Sequence, residues 1–335
     1  MRSTDRISRT GSIRPARRCR RRCCLAPGSR WNAWPRPSRS LHASLSVHAV
    51  MITYDPKNWL RILLDFPHSP VFRTLALDVV GAGLYAALVV WVETDYFRVA
   101  VPLGPSLLSI LGIILGLLLV FRTNTSYDRW WEGRRLWGQL VNISRGLAHQ
   151  LDALLPVQAP QRAEYVRLFE EFPVALAAHL RAPRGTLGPH VPNDIVQRLS
   201  RRLHADIAAG QLPREATVAL TPLVVQFDDV TGACERIRNT PIPFSYSSYV
   251  KQFVILYALV LPFGLAREFG YGTIIASMFT FFATMGLELL ATEIEEPFGT
   301  DRNDLPLDQI ADRIARDTAA ILTGAAPDAG PATTD

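Results

Sequence analysis

Cysteines and enzyme signatures are scarce in this sequence. The 335 residues include only four cysteines, of which Cys19, Cys23 and Cys24 lie near the start and Cys234 stands alone in the rest. The chain beyond the start therefore holds no disulfide framework. It also lacks the phosphate-binding loop, the HExxH zinc motif, the nucleophile elbow and the dinucleotide-binding fingerprint. These absences exclude a disulfide-stabilised secreted domain and leave an enzymatic function without a supporting motif, so we expect no catalytic residues.

Acidic residues are almost missing from the first 50 positions, which carry twelve Arg and a single acid, Asp5. Residues 51–335 reverse this balance with 24 basic and 29 acidic side chains. The net charges are thus +11 for residues 1–50 and −5 for the remainder, which together give the +6 of the whole chain. The composition divides the chain at Met51 into a basic leader and a mildly acidic body.

The leader has no apolar stretch of the kind that a secretory signal peptide needs. Its Arg- and Ser-rich composition is typical of an organelle transit peptide, and it also suits a tail that binds nucleic acid. A third interpretation is that translation starts at Met51. We expect this third one, and in every case residues 1–50 are left out of the fold.

Long apolar runs dominate the body. The first covers residues 75–92, and the second covers residues 99–121 without a single charge. As a helix the second run is about 35 Å long, enough for the ~30 Å hydrocarbon core of a bilayer. Two shorter runs follow at residues 253–266 and 271–287. The sequence predicts an all-α, multi-pass membrane protein with four transmembrane helices arranged as two hairpins.

Basic residues flank the first hairpin on both sides. Lys57 and Arg61 precede it and Arg122 and Arg129 follow it, whereas its short loop holds one Arg and two acids. By the positive-inside rule both flanks, and both termini, face the cytoplasm. We expect the membrane to be the cell (inner) membrane, or an organelle membrane if the leader is a transit peptide.

Residues 122–250 show a helical pattern between the two hairpins. Ile195, Leu199, Leu203 and Ile207 recur every four residues, and apolar side chains also recur at helical spacing over residues 164–178. We therefore predict a helical cytosolic domain. The predicted divisions of the body are an N-terminal segment with hairpin one (51–121), the cytosolic domain (122–250), hairpin two (251–290), a cytosolic C-terminal segment (291–323) and a disordered tail (324–335).

Four sequence blocks identify a family. They are MITYDPKNWLR from residue 51, FRTNTSYDRWWEGRRLWG from residue 121, CERIRNTPIPFSY from residue 234 and EIEEPFGTDRNDLPL from residue 293. In this order they closely resemble the prokaryotic bestrophins over residues 51–314. The resemblance implies a homopentamer in a lipid bilayer with one pore on the five-fold axis, which passes chloride and other small inorganic anions passively. It implies no nucleic-acid partner for the body.

The family's pore neck matches Ile113, Leu117 and Phe121. Positions four apart lie on one helix face, with a drift of about 40° per step. Five copies would stack three apolar rings, and such rings can close a pore by dewetting. The alternative is that this stripe only packs against other helices. We further expect Arg129, Trp130 and Trp131 to hold the neck helix against the cytosolic domain.

Two more sites follow from the resemblance. Leu212 is the best match to the apolar residue of the family's cytosolic aperture. Eukaryotic bestrophins hold Ca²⁺ at a matching Pro-Phe-Gly turn, and hard oxygen ligands suit that ion. Here Arg302 and Asn303 interrupt the acidic run, and capping or salt bridges are the alternative role. The candidate calcium ligands are Glu293, Glu296, Asp301 and Asp304.

Ion selectivity is open to a second interpretation. The predicted neck carries no fixed charge, and the net acidic body would favour cations if its acids lined the vestibule. A cation-conducting homologue is therefore the alternative to an anion channel. A hypothesis of another class is a membrane-anchored interaction protein whose basic leader binds nucleic acid or anionic lipid.

Overall fold

The computed structural model describes residues 70–96, 104–183, 188–301 and 303–324, all within one unit that spans Ala49–Asp335. The leader and the predicted tail lie outside the described residues. The described residues form eight α-helices, with a π-helical turn at Val92–Tyr96 after the first. The helices are α1 (Pro70–Trp91), α2 (Pro105–Leu154), α3 (Arg162–Arg181), α4 (Val191–Ala208), α5 (Ala216–Asn239), α6 (Phe244–Phe269), α7 (Gly272–Ile294) and α8 (Leu307–Thr323).

Four segments are long and apolar enough to cross a membrane, as predicted. They are Leu75–Tyr96, Ser106–Leu154, Phe244–Phe269 and Gly272–Ile294. Within this bundle α1 packs mainly against α7 and also touches α6. Gly83 of α1 lies against Met278 of α7, and the Tyr85 hydroxyl donates a 3.0 Å hydrogen bond to the Leu259 carbonyl of α6.

Helix α2 is continuous for 50 residues, about 75 Å. Pro105 stands in its first turn, where its missing N–H costs no hydrogen bond, so the helix begins later than the apolar run at residue 99 suggests. Beyond that turn α2 contains no proline that would break it. The domain boundary predicted between residues 121 and 122 therefore lies inside one continuous helix and does not separate two structural elements.

Helices α6 and α7 form a hairpin with a tight turn. Gly270 ends α6 with a φ of 50°, a left-handed conformation that costs glycine nothing. Beside this turn the Tyr271 hydroxyl donates a 2.6 Å hydrogen bond to Asp95, which ties the hairpin to the end of the first span. Pro243 precedes α6 directly and occupies its N-cap position.

The core of the domain predicted to be cytosolic lies between the C-terminal half of α2 and helices α3, α4, α5 and α8. Trp137 of α2 is fully buried in it, and the Phe172 and Phe227 rings of α3 and α5 pack edge to face at 5.0 Å. The four-residue pattern of α4 points inward as predicted, since Ile195, Leu199 and Leu203 are buried and Ile207 is partly buried.

Candidate pore helix and its anchors

The three predicted neck residues share the free face of α2. Ile113 is 72% exposed, Leu117 is 55% exposed and Phe121 is 54% exposed. The opposite face carries Leu115 and Leu119, which are buried against α6. An apolar stripe that one copy of the chain leaves open needs lipid or further copies to cover it. The stripe therefore does not pack against the described helices of its own chain. The alternative that it only packs against helices, here those of neighbouring copies, stays open.

Residues 106–121 contain no charged side chain, and Arg122 directly after the stripe is the first charged residue of α2. Its guanidinium is 0% exposed and points away from the free face, toward α7. It lies 3.5 Å from the Glu288 carboxylate, which is also 0% exposed, and 2.8 Å from the Glu295 carboxylate. A further 3.0 Å hydrogen bond goes to the Ser126 hydroxyl. The neck face thus carries no fixed charge, although an arginine follows it directly.

Glu288 is a buried acid within an apolar helix, and its second cation is Lys251 of α6 at 3.9 Å. Charges taken out of water persist only when they are paired. The Arg122–Glu288–Lys251 cluster therefore joins α2, α7 and α6 at the level of the neck. The sequence pattern identified Arg122 only as a basic residue that sets the orientation of the first hairpin, and Glu288 was missed. An ionisable residue inside an apolar span, here residue 288, was the available signal.

Arg129 connects the pore helix to the cytosolic domain. Its guanidinium donates to the carbonyls of Ile237 and Thr240 at 2.6 Å each, and to the carbonyl of Glu295 at 3.1 Å. One turn of α2 thereby holds both the end of α5 and the end of α7. Trp130 adds a 3.0 Å hydrogen bond from its indole N–H to the Asn303 carbonyl. Arg129 and Trp130 thus make contacts of the kind predicted for this segment, whereas Trp131 is 51% exposed and stacks on Tyr127 of the same helix.

The turn after α7 is built around Asp304. Its Oδ2 accepts a 2.7 Å hydrogen bond from the Asp301 backbone N–H, and the Leu305 N–H donates to the Pro297 carbonyl at 2.9 Å. Gly299 approaches so closely that an added Cβ would lie 2.5 Å from Asp304 Oδ2. Burial raises the pKa of the Asp304 carboxyl to about 6, although the bond from Asp301 lowers it.

The four acids proposed for Ca²⁺ do not form a compact ligand set. Among the described residues, no three of Glu293, Glu296, Asp301 and Asp304 bring their oxygens within 4.8 Å of one another. Asp304 Oδ2 is already used in the turn, while its Oδ1 is buried with no hydrogen-bond partner among the described residues. One orphaned oxygen is compatible with an ion, and the calcium site stays a prediction.

The aperture prediction at Leu212 is not supported. Its side chain is 2% exposed and belongs to the core of its own subunit. A residue that lines an aperture must reach the ion path, and Leu212 instead seals the loop between α4 and α5. The surrounding sequence offered few anchors for the match, and the assignment of Leu212 to the aperture stays a prediction that its burial does not favour.

The chain was compared with known proteins. The model of the family described as "Bacterial/Fungal Bestrophin protein" matches residues 51–320, from the same methionine at which the composition changes. A relative in Synechocystis, the "Voltage-dependent anion channel-forming protein sll1024", is 33% identical over 76% of this chain and 89% of its own length. YneE of Escherichia coli strain K12, which carries the same description, is 31% identical over 80% of this chain and 92% of its own.

Solved structures agree with the sequence relatives. A crystal structure of a bacterial bestrophin homologue from Klebsiella pneumoniae superposes with a TM-score of 0.69 at 27% identity. The match covers 74% of this chain and 98% of the Klebsiella chain. The described helices therefore have the arrangement of that homologue over nearly its whole length.

Proposed function

The chain belongs to the bacterial/fungal bestrophin family, and on that premise we propose that it forms a membrane pore that passes chloride and other small anions passively. The observation that carries the proposal is the free apolar face of α2 at Ile113, Leu117 and Phe121. The anion preference is supported by relatives described as voltage-dependent anion channel-forming proteins. A pore of this kind needs no catalytic residue.

The neck works as an apolar constriction. Rings of Ile113, Leu117 and Phe121 offer a permeating ion no hydrogen bonds, so a narrow neck dewets and closes. A small widening admits a partly hydrated ion. Because the neck face has no fixed charge, the free energy needed to remove water from an ion determines how easily that ion passes. Weakly hydrated anions such as iodide should then pass more easily than chloride.

The anchors below the neck hold this helix in place. Arg122 fixes α2 to α7 directly after Phe121, and Arg129 fixes the same helix to the end of α5 two turns later. Rotation of α2 would withdraw these guanidinium groups from their acceptors. The position of the neck face is therefore set by buried polar contacts on the opposite side of the helix.

The proposed assembly is a homopentamer with both termini in the cytoplasm, in the inner membrane of a bacterial cell. Five-fold symmetry follows from the family, and the exposed stripe on α2 gives the copies an apolar surface around which to close. Orientation follows from the basic residues that flank the first hairpin. Calcium dependence stays a prediction, which chelation of Ca²⁺ during recording tests.

The experiment that tests the function uses the full chain in chloride-loaded liposomes. Addition of a potassium ionophore should release chloride at a rate set by the protein, and protein-free liposomes should stay tight. Mass measurement of the purified protein in detergent should give five copies. A particle of any other size, or liposomes as tight as the blank, would contradict the proposal. A fusion that starts at Met51 provides the control for the leader.

A further inference from the structure

Two histidines and a glutamate meet in the cytosolic domain, away from the pore helix. His179 lies in the last turn of α3, His190 directly precedes α4, and Glu235 lies near the end of α5. Both imidazole Nε2 atoms contact the same carboxylate oxygen, Glu235 Oε1, at 2.7 Å from His179 and 2.6 Å from His190. The two rings lie 4.6 Å apart between centroids. Three helices that are distant in sequence thus bring their side chains to one point.

We propose that His179, His190 and Glu235 form a binding site for a divalent transition-metal ion, with Zn²⁺ as the best match. Their ligand atoms all lie within 4.8 Å of one another, and ligand distances of about 2.0–2.2 Å need only a small outward movement of the side chains. Two imidazoles and one carboxylate suit Zn²⁺, since Ca²⁺ and Mg²⁺ prefer sets made of oxygen. A water completes the tetrahedral set.

The site is accessible and electrostatically suited to a cation. All three side chains are partly buried, which fixes their positions and still leaves an approach from solvent. Glu235 stands at the wall of a cleft of about 620 Å³ between α4 and α5, which Asp228 also lines. The cleft offers the route for a hydrated ion and the space for the water ligand.

Protons must rearrange for the ion to bind. His190 Nδ1 accepts a 3.3 Å hydrogen bond from the Asn193 N–H, so the ring proton of neutral His190 is on Nε2 and points at Glu235. Metal binding through Nε2 moves that proton to Nδ1, and the long bond from Asn193 is lost. The ion replaces this weak bond and the two contacts between the imidazole Nε2 atoms and Glu235 with three coordination bonds.

A bound ion would fix the junction of α3, α4 and α5. Glu235 lies two residues before Ile237, whose carbonyl accepts from Arg129 of the pore helix. An ion bound at this site would therefore stabilise the segment of α5 that holds α2 through the Ile237 carbonyl. Metal binding at this site does not require pore function. The zinc proposal and the proposed channel function can therefore be refuted independently of each other.

The test is isothermal titration of Zn²⁺ into the full-length protein, purified in detergent without a histidine tag and stripped of metal by chelation. We expect about one Zn²⁺ per chain in the wild type and affinity reduced at least about tenfold in His179→Ala and in His190→Ala. Glu235→Gln keeps the shape of the side chain and should show the same loss. His204→Ala, which changes an exposed histidine of α4, is the matched control and should bind like the wild type.

Substitution with Co²⁺ gives a second readout. The wild type should show the visible absorption of tetrahedral Co²⁺, and the bands should disappear in Glu235→Gln while circular dichroism shows its helices intact. Equal Zn²⁺ uptake by the wild type and the double variant His179→Ala/His190→Ala would overturn the proposal, as would a wild type that takes up no Zn²⁺.

Discussion

Arg122 Nη2 lies 2.8 Å from the Glu295 carboxylate, so the pore helix is tied to the end of α7 one residue beyond the neck. Glu295 also accepts a 3.1 Å hydrogen bond from the Ile242 N–H in the segment that leads into α6. One carboxylate therefore connects α2, α7 and the start of α6. The geometry of the neck depends on this contact and on the buried Glu288 beside it.

Loss of the Arg122 guanidinium should destabilise the protein strongly. Arg122→Ala leaves the buried Glu288 with Lys251, at 3.9 Å, as its remaining cation among the described residues, and removal of one partner from a buried ion pair costs about 3–5 kcal/mol. The double variant Arg122→Ala/Glu288→Ala should lose less than the sum of the single variants, because neither charge is left unpaired. Unfolding temperatures measured in detergent rank the stabilities of the wild type, the two single variants and the double variant.

An exposed pair provides the control for this prediction. Arg236 and Glu132 form an ion pair at the surface, where such pairs contribute roughly 0–1 kcal/mol. Arg236→Ala should therefore shift the unfolding temperature only slightly. Similar shifts for Arg122→Ala and Arg236→Ala would show that the buried network does not hold α2.

Asp304 should make stability depend on pH. Its pKa is raised to about 6 in the folded protein from an ordinary value of 3.8, so the folded state binds the proton more tightly than the unfolded state. Its contribution to stability is present in full below pH 3.8 and is lost as the pH rises through 6, a change of up to about 3 kcal/mol. The side chain introduced by Asp304→Asn has no titratable group, so this variant lacks the pH dependence that Asp304 contributes.

The comparison of unfolding temperatures between wild type and Asp304→Asn isolates this group, since other titrating residues are common to both proteins. The advantage of the variant over the wild type should grow between pH 4 and pH 7. Parallel curves over that range would mean that the Asp304 carboxyl is not buried as described.

Gly299 should tolerate no larger residue. The Cβ of Gly299→Ala would stand 2.5 Å from Asp304 Oδ2 and force apart the turn that Asp301 and Asp304 close. We expect a lower unfolding temperature. Gly232→Ala is the matched control, because nothing lies within 4 Å of its Cβ and alanine in a helix is favoured by about 0.5–1 kcal/mol. The two substitutions should shift the temperature in opposite directions, and shifts of the same sign would refute the close contact.

The neck assignment predicts a gain of conduction. Ile113→Ala/Leu117→Ala/Phe121→Ala widens all three apolar rings, so single-channel conductance or open probability should rise. The control is Ile275→Ala, which shortens an apolar side chain that is equally exposed in one copy but lies on α7. Currents unchanged by the triple variant would exclude these residues from the gate.

The length of the apolar runs was enough to predict the four spans, and helical spacing predicted the inward face of α4, because burial follows helical spacing directly. The stripe of Ile113, Leu117 and Phe121 came instead from the resemblance to the bestrophins. The polar contacts could not be predicted from the sequence in this way. Glu288 pairs with Arg122 across more than 160 residues of sequence, and spacing carries no information about such distant partners. The burial of Leu212 could not be predicted for a related reason, since an isolated apolar residue in a loop can face a pore or a core with equal ease.

The most direct test of the account is the reversal potential of single channels in planar bilayers with asymmetric KCl. An anion pore places the reversal potential near the Nernst potential of chloride, and replacement of K⁺ by a large organic cation should leave it unchanged. A reversal potential that follows K⁺ instead would contradict anion selectivity and establish the cation-conducting alternative.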